Sequence, residues 1–196
     1  AETLDPGTKC SPAERFRVAM KGSSSVTNPQ IHHFAPNGGI PNSRLPLVIF
    51  KSGLPADARS GVAACALYRR NGWGGTWVYT VFPYWHFHTK GHEVLGCVAG
   101  TAKIGFGGDD GIVADVSVGD VAIVPAGVGH KKLSASPGFQ MAGGYPPKQQ
   151  GDIVRPGQFS DGELAEAIGK VALPESDPVL GKDDGVVAIW RGGAGR

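Results

Sequence analysis

An all-β sandwich or barrel is the fold class that this sequence predicts, on three observations. From Trp73 to Tyr145, short apolar runs are punctuated at even spacing by GWGG, KGH, FGGDDG, VGD, PAGVG and SPG, which reads as five or six strands joined by tight turns. The chain holds 31 glycines and 15 prolines, yet 41% of it is hydrophobic, so the turn formers serve a folded chain rather than a disordered one. Its 196 residues are enough for one ordinary core and too few for two.

Taken in order, residues 1–37 form a polar, turn-rich N-terminal segment in which GSSSVTNP (Gly22 to Pro29) reads as a flexible connector. RLPLVIFKSG (Arg44 to Gly53) is a β-branched and apolar run bounded by turn formers, hence a strand. LPADARSGVAACALYRRNG predicts a helix with Pro55 in its first turn, Val62, Cys65, Ala66 and Arg69 at three- and four-residue spacing, and Gly72 as its stop. Residues 38–147 then make a single domain whose strand-rich part is 76–147. Residues 148–196 form a tail packing on it, with a short helix opened by the capping box of Ser160 and Glu163.

Composition narrows the partners. A net charge of +2 with acids and bases interspersed gives no basic stripe, which argues against nucleic acid and anionic membrane surfaces and leaves a small molecule as the expected ligand. No apolar run approaches the length of a membrane span. Cys10, Cys65 and Cys97 are far apart and odd in number, which fits reduced thiols in a cytoplasm better than a disulfide framework.

One stretch carries chemistry: HFHTKGHEVLGCVAG, from His86 to Gly100. Side chains alternate along a strand, so His86 and His88 face the same way and can reach a common ion. Thr89 to Gly91 can turn the chain, after which Glu93 returns a carboxylate to the same interior. GDVAIVPAGVGH (Gly119 to His130) places a third imidazole at the start of a later strand. Three imidazoles and a carboxylate form a borderline-soft set suited to one divalent Fe, Mn, Ni, Cu or Zn.

These two stretches resemble the cupin family. The first fits its H-x-H-x4-E-x6-G pattern at His86, His88, Glu93 and Gly100, and the second fits G-x5-P-x-G-x2-H at Gly119, Pro125, Gly127 and His130. Thr80 and Ser134 stand where the family often has glycine and asparagine, a departure that bears on loop shape more than on ligation. Further stretches, among them NGWGGTW, MAGGYPP and LPESDPVLGKDDGVVAIW, are similar to the YjlB-like group of small bacterial cupins, which has no settled reaction. The resemblance implies a double-stranded β-helix, or jelly-roll barrel, with a few short peripheral helices. It further implies a metal in the wider mouth and terminal segments wrapped outside, where they cover sheet edges or build a homodimer.

Other residues divide between site and scaffold. Glu93 and His92 compete for the fourth ligand position, because adjacent strand residues face opposite ways; counting back from Gly100 favours Glu93, with His92 the alternative. Cys97 and Leu95 share the parity of Glu93 and are expected inside the barrel, the thiol as a small buried apolar group. Phe82 and Tyr84 share parity with His86 and, with Phe106, are expected to shape a substrate pocket. His32 and His33 read as loop or interface residues, and FGGDDG as a turn, lacking the Lys-Ser/Thr of a phosphate loop. The two arginines of YRRNGW could reach an anionic substrate, although a solvated helix end is the plainer reading.

The leading functional expectation is a mononuclear metalloenzyme, an oxygenase or oxidase acting on a small organic substrate, with Glu93 able to serve as a base. An isomerase, epimerase or lyase would use the same site without redox change. A non-catalytic binding or sensor module is the reading from outside enzymology.

Overall fold

The β-branched and apolar runs of the sequence pair into two antiparallel sheets that face each other. The computed structural model describes residues 8–9 and 28–193, so Cys10 and residues 22–27 of the expected connector lie outside the described residues. The strands of these two sheets are β1 (Thr8–Lys9), β2 (Gln30–His32), β3 (Leu47–Phe50), β4 (Gly74–Tyr79), β5 (Glu93–Ala99), β6 (Thr101–Phe106), β7 (Ile112–Ser117), β8 (Val121–Val124), β9 (His130–Ala135) and β10 (Gln140–Tyr145). The large sheet runs β1-β4-β10-β5-β8-β3-β2 and the small one β7-β6-β9. All neighbours pair antiparallel, and the protein is a jelly-roll barrel with a few peripheral helices.

Seven strands lie between Trp73 and Tyr145, where punctuation predicts five or six. The link between β5 and β6 is the single residue Gly100, at φ +68, where a Cβ would come 2.6 Å from Ser136 Oγ. Glycine meets both demands at little steric cost, and so short a link does not stand out as a break in the sequence.

Strand alternation divides the large sheet between two cores. Leu47, Ile49, Leu95, Cys97, Ala122, Val124 and Met141 point into the barrel against Ala102, Ile104, Phe106 and Val116 of the small sheet. Their neighbours Val48, Phe50, Val94, Val98, Val121, Ile123 and Ala142 point outward beneath helices. Burial on both faces explains why β3 and β8 are continuous apolar runs without a polar face.

The covering helices are α1 (Gly61–Arg70) and α3 (Val186–Gly193), while α2 (Asp161–Gly169) carries the expected capping box at Ser160. Helix α1 starts later than the sequence predicts. Pro55 precedes a separate short 3-10 turn (Ala56–Ala58), and Ser60 caps α1 by accepting from Ala63 N at 3.3 Å. Its buried face is Ala64, Cys65, Leu67 and Tyr68, not the Val62, Cys65, Ala66 and Arg69 row, and Val62 is 74% exposed. The larger apolar surfaces of Leu67 and Tyr68 decide the rotation of the helix. Gly96 of β5 makes room for the Tyr68 hydroxyl, which a Cβ at that position would strike.

Helix α3 is an element that the sequence pattern does not predict. Val186, Val187 and Trp190 insert into the outer core, and the Trp190 indole N–H donates to the Pro46 carbonyl at 2.9 Å. Among the described residues no helix is long and apolar enough to cross a membrane.

Candidate metal centre

The metal-motif residues sit where the two sheets meet. Residues 82–88 follow β4 and cross to the small sheet, where His86 and His130 exchange backbone hydrogen bonds of 3.3 and 2.9 Å and Lys132 N donates to the Phe82 carbonyl at 2.9 Å. His86 and His88 thus lie in an extended segment outside the regular strands, yet alternation still holds. Phe87 between them turns away, pairs with Val154, and packs with Ile40 and Leu164. The turn before His130 depends on Gly127, at φ +89, whose N–H donates to the His88 carbonyl at 2.8 Å and whose missing Cβ admits the Asn42 backbone.

His86, His88 and His130 are all buried, and one ring nitrogen from each lies within 4.8 Å of the others. Each ring is held through Nδ1 by a backbone carbonyl: His86 by Tyr84 at 3.1 Å, His88 by Asp152, and His130 by Val128 at 3.2 Å. With Nδ1–H donating in each case, Nε2 is the nitrogen left to ligate, which is the tautomer a metal site requires. Glu93, 3% exposed, sets Oε2 at 3.1 Å from His88 Nε2 and 3.3 Å from His130 Nε2. This three-histidine, one-glutamate cluster could hold a metal, and its donor set fits a divalent transition ion.

Electrostatics in the metal-free cluster follow from this packing. Burial pushes the His86 imidazole down to about 2, helped by its neighbours His130 and His88. Burial also opposes charge on His88, but the Glu93 carboxylate outweighs it and raises His88 above the ordinary imidazole value. Burial alone would raise Glu93; the charge of His88 and hydrogen bonds from His130 and His88 hold it below the usual carboxylate range. Without metal, the His88 and Glu93 pair therefore favours a proton on His88, and that proton competes with an incoming cation.

The sign of the pH dependence follows. Metal affinity is expected to be highest above the raised pKa of His88 and to fall as pH drops through it. That fall begins above the value of about 6.5 for a free imidazole. Metal content after equilibration across that range checks this, and uptake in weak buffer is expected to release about one proton per ion. Unchanged occupancy down to about pH 4 would contradict an imidazole-rich site.

Glu93 and His92 fall on opposite faces of β5. The His92 ring lies tilted against that of Trp190 with centroids 4.7 Å apart, its Nδ1 accepts from Ala126 N at 3.0 Å, and burial pushes it down to about 4. Cys97 is inside the barrel core, with its thiol raised to about 11 by burial.

A cavity of about 760 Å³ opens from the cluster. Phe82 borders it with Val81, Leu95 and Ile153. Tyr84 and Phe106 do not border it. Tyr84 stacks against Phe82 at 5.2 Å with the Arg155 guanidinium 3.9 Å from its own ring centroid, and Phe106 is buried in the barrel core 6.5 Å from the His130 ring.

Three contributors escaped the sequence reading. Tyr145 donates its phenol to Glu93 Oε1 at 3.0 Å, and the Trp77 indole N–H donates to Tyr145 Oη at 3.1 Å. Alternation from the barrel-facing Met141 through Gly143 reaches Tyr145, so that signal was available. Gly143 is bare because Trp77 occupies the space a Cβ would take. Asp152 accepts from Thr89 N at 2.8 Å and Thr89 Oγ1 at 2.6 Å, fixing the turn after His88 while its carbonyl holds the ring. No sequence pattern announces that long-range clamp.

No family model matches the chain. A solved acireductone dioxygenase from Bacillus anthracis, with a cadmium ion in its active centre, is similar at 18% identity and a TM-score of 0.34, over 47% of this chain and 62% of that one. Protein NMB1881 from Neisseria meningitidis is similar at 16% identity and a TM-score of 0.30, over 62% and 86%. The uncharacterized protein YjlB of Bacillus subtilis (strain 168) is 39% identical over 162 residues, which are 82% of this chain and 96% of that protein. On that identity and coverage, the chain belongs to the YjlB family.

Proposed function

We propose that this protein is a mononuclear metalloenzyme in which His86, His88, Glu93 and His130 hold one divalent first-row transition ion, and that it acts as an oxygenase or oxidase on a small organic substrate. The observation that carries the metal assignment is the common orientation of the three imidazoles, each tied through Nδ1 to a carbonyl while Glu93 meets two of them. A purely structural barrel has no use for three fixed imidazoles around a buried carboxylate. When bound, such an ion supplies Lewis acidity and, if redox-active, a route for electrons.

The chain's own residues supply the rest. Tyr145 orients Glu93 from one side, and Trp77 directs the phenol proton toward the carboxylate. Phe82, Val81, Leu95 and Ile153 give the adjoining wall an apolar surface that disfavours water and suits an organic substrate. Incubation with a small-molecule panel under air, with oxygen uptake recorded, tests the reaction class.

The Tyr145 to Glu93 hydrogen bond favours a second reading, in which the same site moves a proton in isomerase, epimerase or lyase chemistry. Turnover that persists under strict anoxia would select it and overturn the oxygenase.

Ligation by Glu93 rather than His92 is tested by paired variants. Glu93→Gln is expected to weaken metal binding by more than the roughly 10–100-fold typical of residues that only support a ligand, whereas His92→Gln stays within that range. Metal content after dialysis against a weak chelator reads both. Loss of the ion in His92→Gln with retention in Glu93→Gln would replace the carboxylate by a fourth histidine.

A further inference from the structure

We infer that the substrate is a small organic carboxylate and that Arg69 binds its carboxylate group. The inference rests on the metal-centred reading of the cavity and adds to it the class of substrate.

Arg69 lies in the last turn of α1, at the exposed end the sequence assigns to solvent, yet it borders the same cavity as the histidine cluster, while Arg70 is exposed. Its Nη1 donates to Thr76 Oγ1 at 2.8 Å, and Thr76 borders the cavity too. That one bond fixes the side chain and leaves most of the guanidinium donors uncommitted. Among the described residues no carboxylate lies within ion-pair distance of Arg69. A guanidinium beside an apolar cavity without its own counter-ion is a receptor for an anion.

The cavity wall says which anion. Besides the imidazole cluster and Glu93, Arg69 is the one charged residue lining it among the described residues; the remaining polar contributions are hydroxyls and amides, including Gln149 and Gln150. A single fork of donors matches the single charge and planar geometry of a carboxylate, whereas a phosphate dianion calls for further cations or a ring of backbone N–H groups. The wall between is aromatic and aliphatic, with Trp77, Phe82, Val81 and Leu95, which suits a hydrocarbon body. At Gly75, φ +57, a Cβ would come 3.0 Å from the Tyr145 ring, so this small residue lets the wall close against the phenol that holds Glu93. The substrate is thus gripped by its carboxylate at Arg69 while its reacting end faces the histidines.

Calorimetric binding of 3-phenylpropanoate and its uncharged amide, 3-phenylpropanamide, tests the assignment on metal-loaded protein, on chelated protein and on variants. The wild type is expected to prefer the carboxylate by about 10–100-fold, the worth of a charge-assisted hydrogen-bonded pair. Arg69→Gln is expected to abolish the preference without changing metal content or melting temperature, and Arg69→Lys to keep only part of it. In His86→Ala with His88→Ala the preference is expected to survive, which separates this site from the metal. Equal affinity for the two probes, no binding of the carboxylate at millimolar concentration, or a preference that survives Arg69→Gln but is lost in the double histidine variant would each overturn the role of Arg69. Absence of metal from the wild type with the carboxylate preference intact would instead overturn the metal reading alone.

Discussion

Replacing His86 and His88 together by alanine is expected to reduce bound metal from about one ion per chain to background, because two of four donors leave a site that cannot close around a cation. Elemental analysis of protein purified without added metal reads the result. The barrel itself is expected to persist, since His86 and His88 lie outside the regular strands. A second signature follows from linkage: an ion present at 100 times its dissociation constant stabilises the fold by about 2.7 kcal/mol. Chelation should therefore lower the melting temperature of the wild type and leave that of the double variant unchanged. Near-stoichiometric metal in the double variant would sink the assignment.

Trp190→Ala is expected to be the most destabilising single change, at about 3–5 kcal/mol. Its side chain is 1% exposed, packs against the His92 ring and ties α3 to Pro46 ahead of β3. Truncation leaves a large void between α3 and the large sheet and strips the Pro46 carbonyl of its partner, and so large an effect needs both. Denaturant unfolding should show a lower midpoint. Because Trp190 packs on the outer face of the sheet, away from Glu93, metal content of the folded variant is expected to stay near that of the wild type. A change under about 1 kcal/mol would mean that α3 contributes little to the core.

The strands and the first coordination elements were legible because they depend on local periodicity. His86 and His88 share a face by alternation alone, and the count from Gly100 places Glu93 inward and His92 outward; the His92 ring lies against that of Trp190, 4.7 Å between centroids. The outer faces were less legible. The helix at 61–70 rotated its larger residues inward, against the row at Val62, because burial rewards area rather than spacing. The pocket aromatics divided for a similar reason: parity gives the side of a sheet but not the depth, and Phe106 lies too deep in the barrel core to meet the cavity.

By itself the sequence determined a run of short strands and the shared face of His86 and His88, since two-residue alternation suffices for that, while its resemblance to the cupins implied that Glu93 and His130 join them. What holds those groups was decided only by tertiary structure. The Asp152 carbonyl that orients His88 comes from 64 positions along the chain, and the Tyr145 phenol that orients Glu93 from 52. Arg69 likewise meets the cavity from a helix that belongs to the outer layer. Contacts at such separation follow from how sheets and loops close in space, and no periodicity within a window of neighbouring residues encodes them.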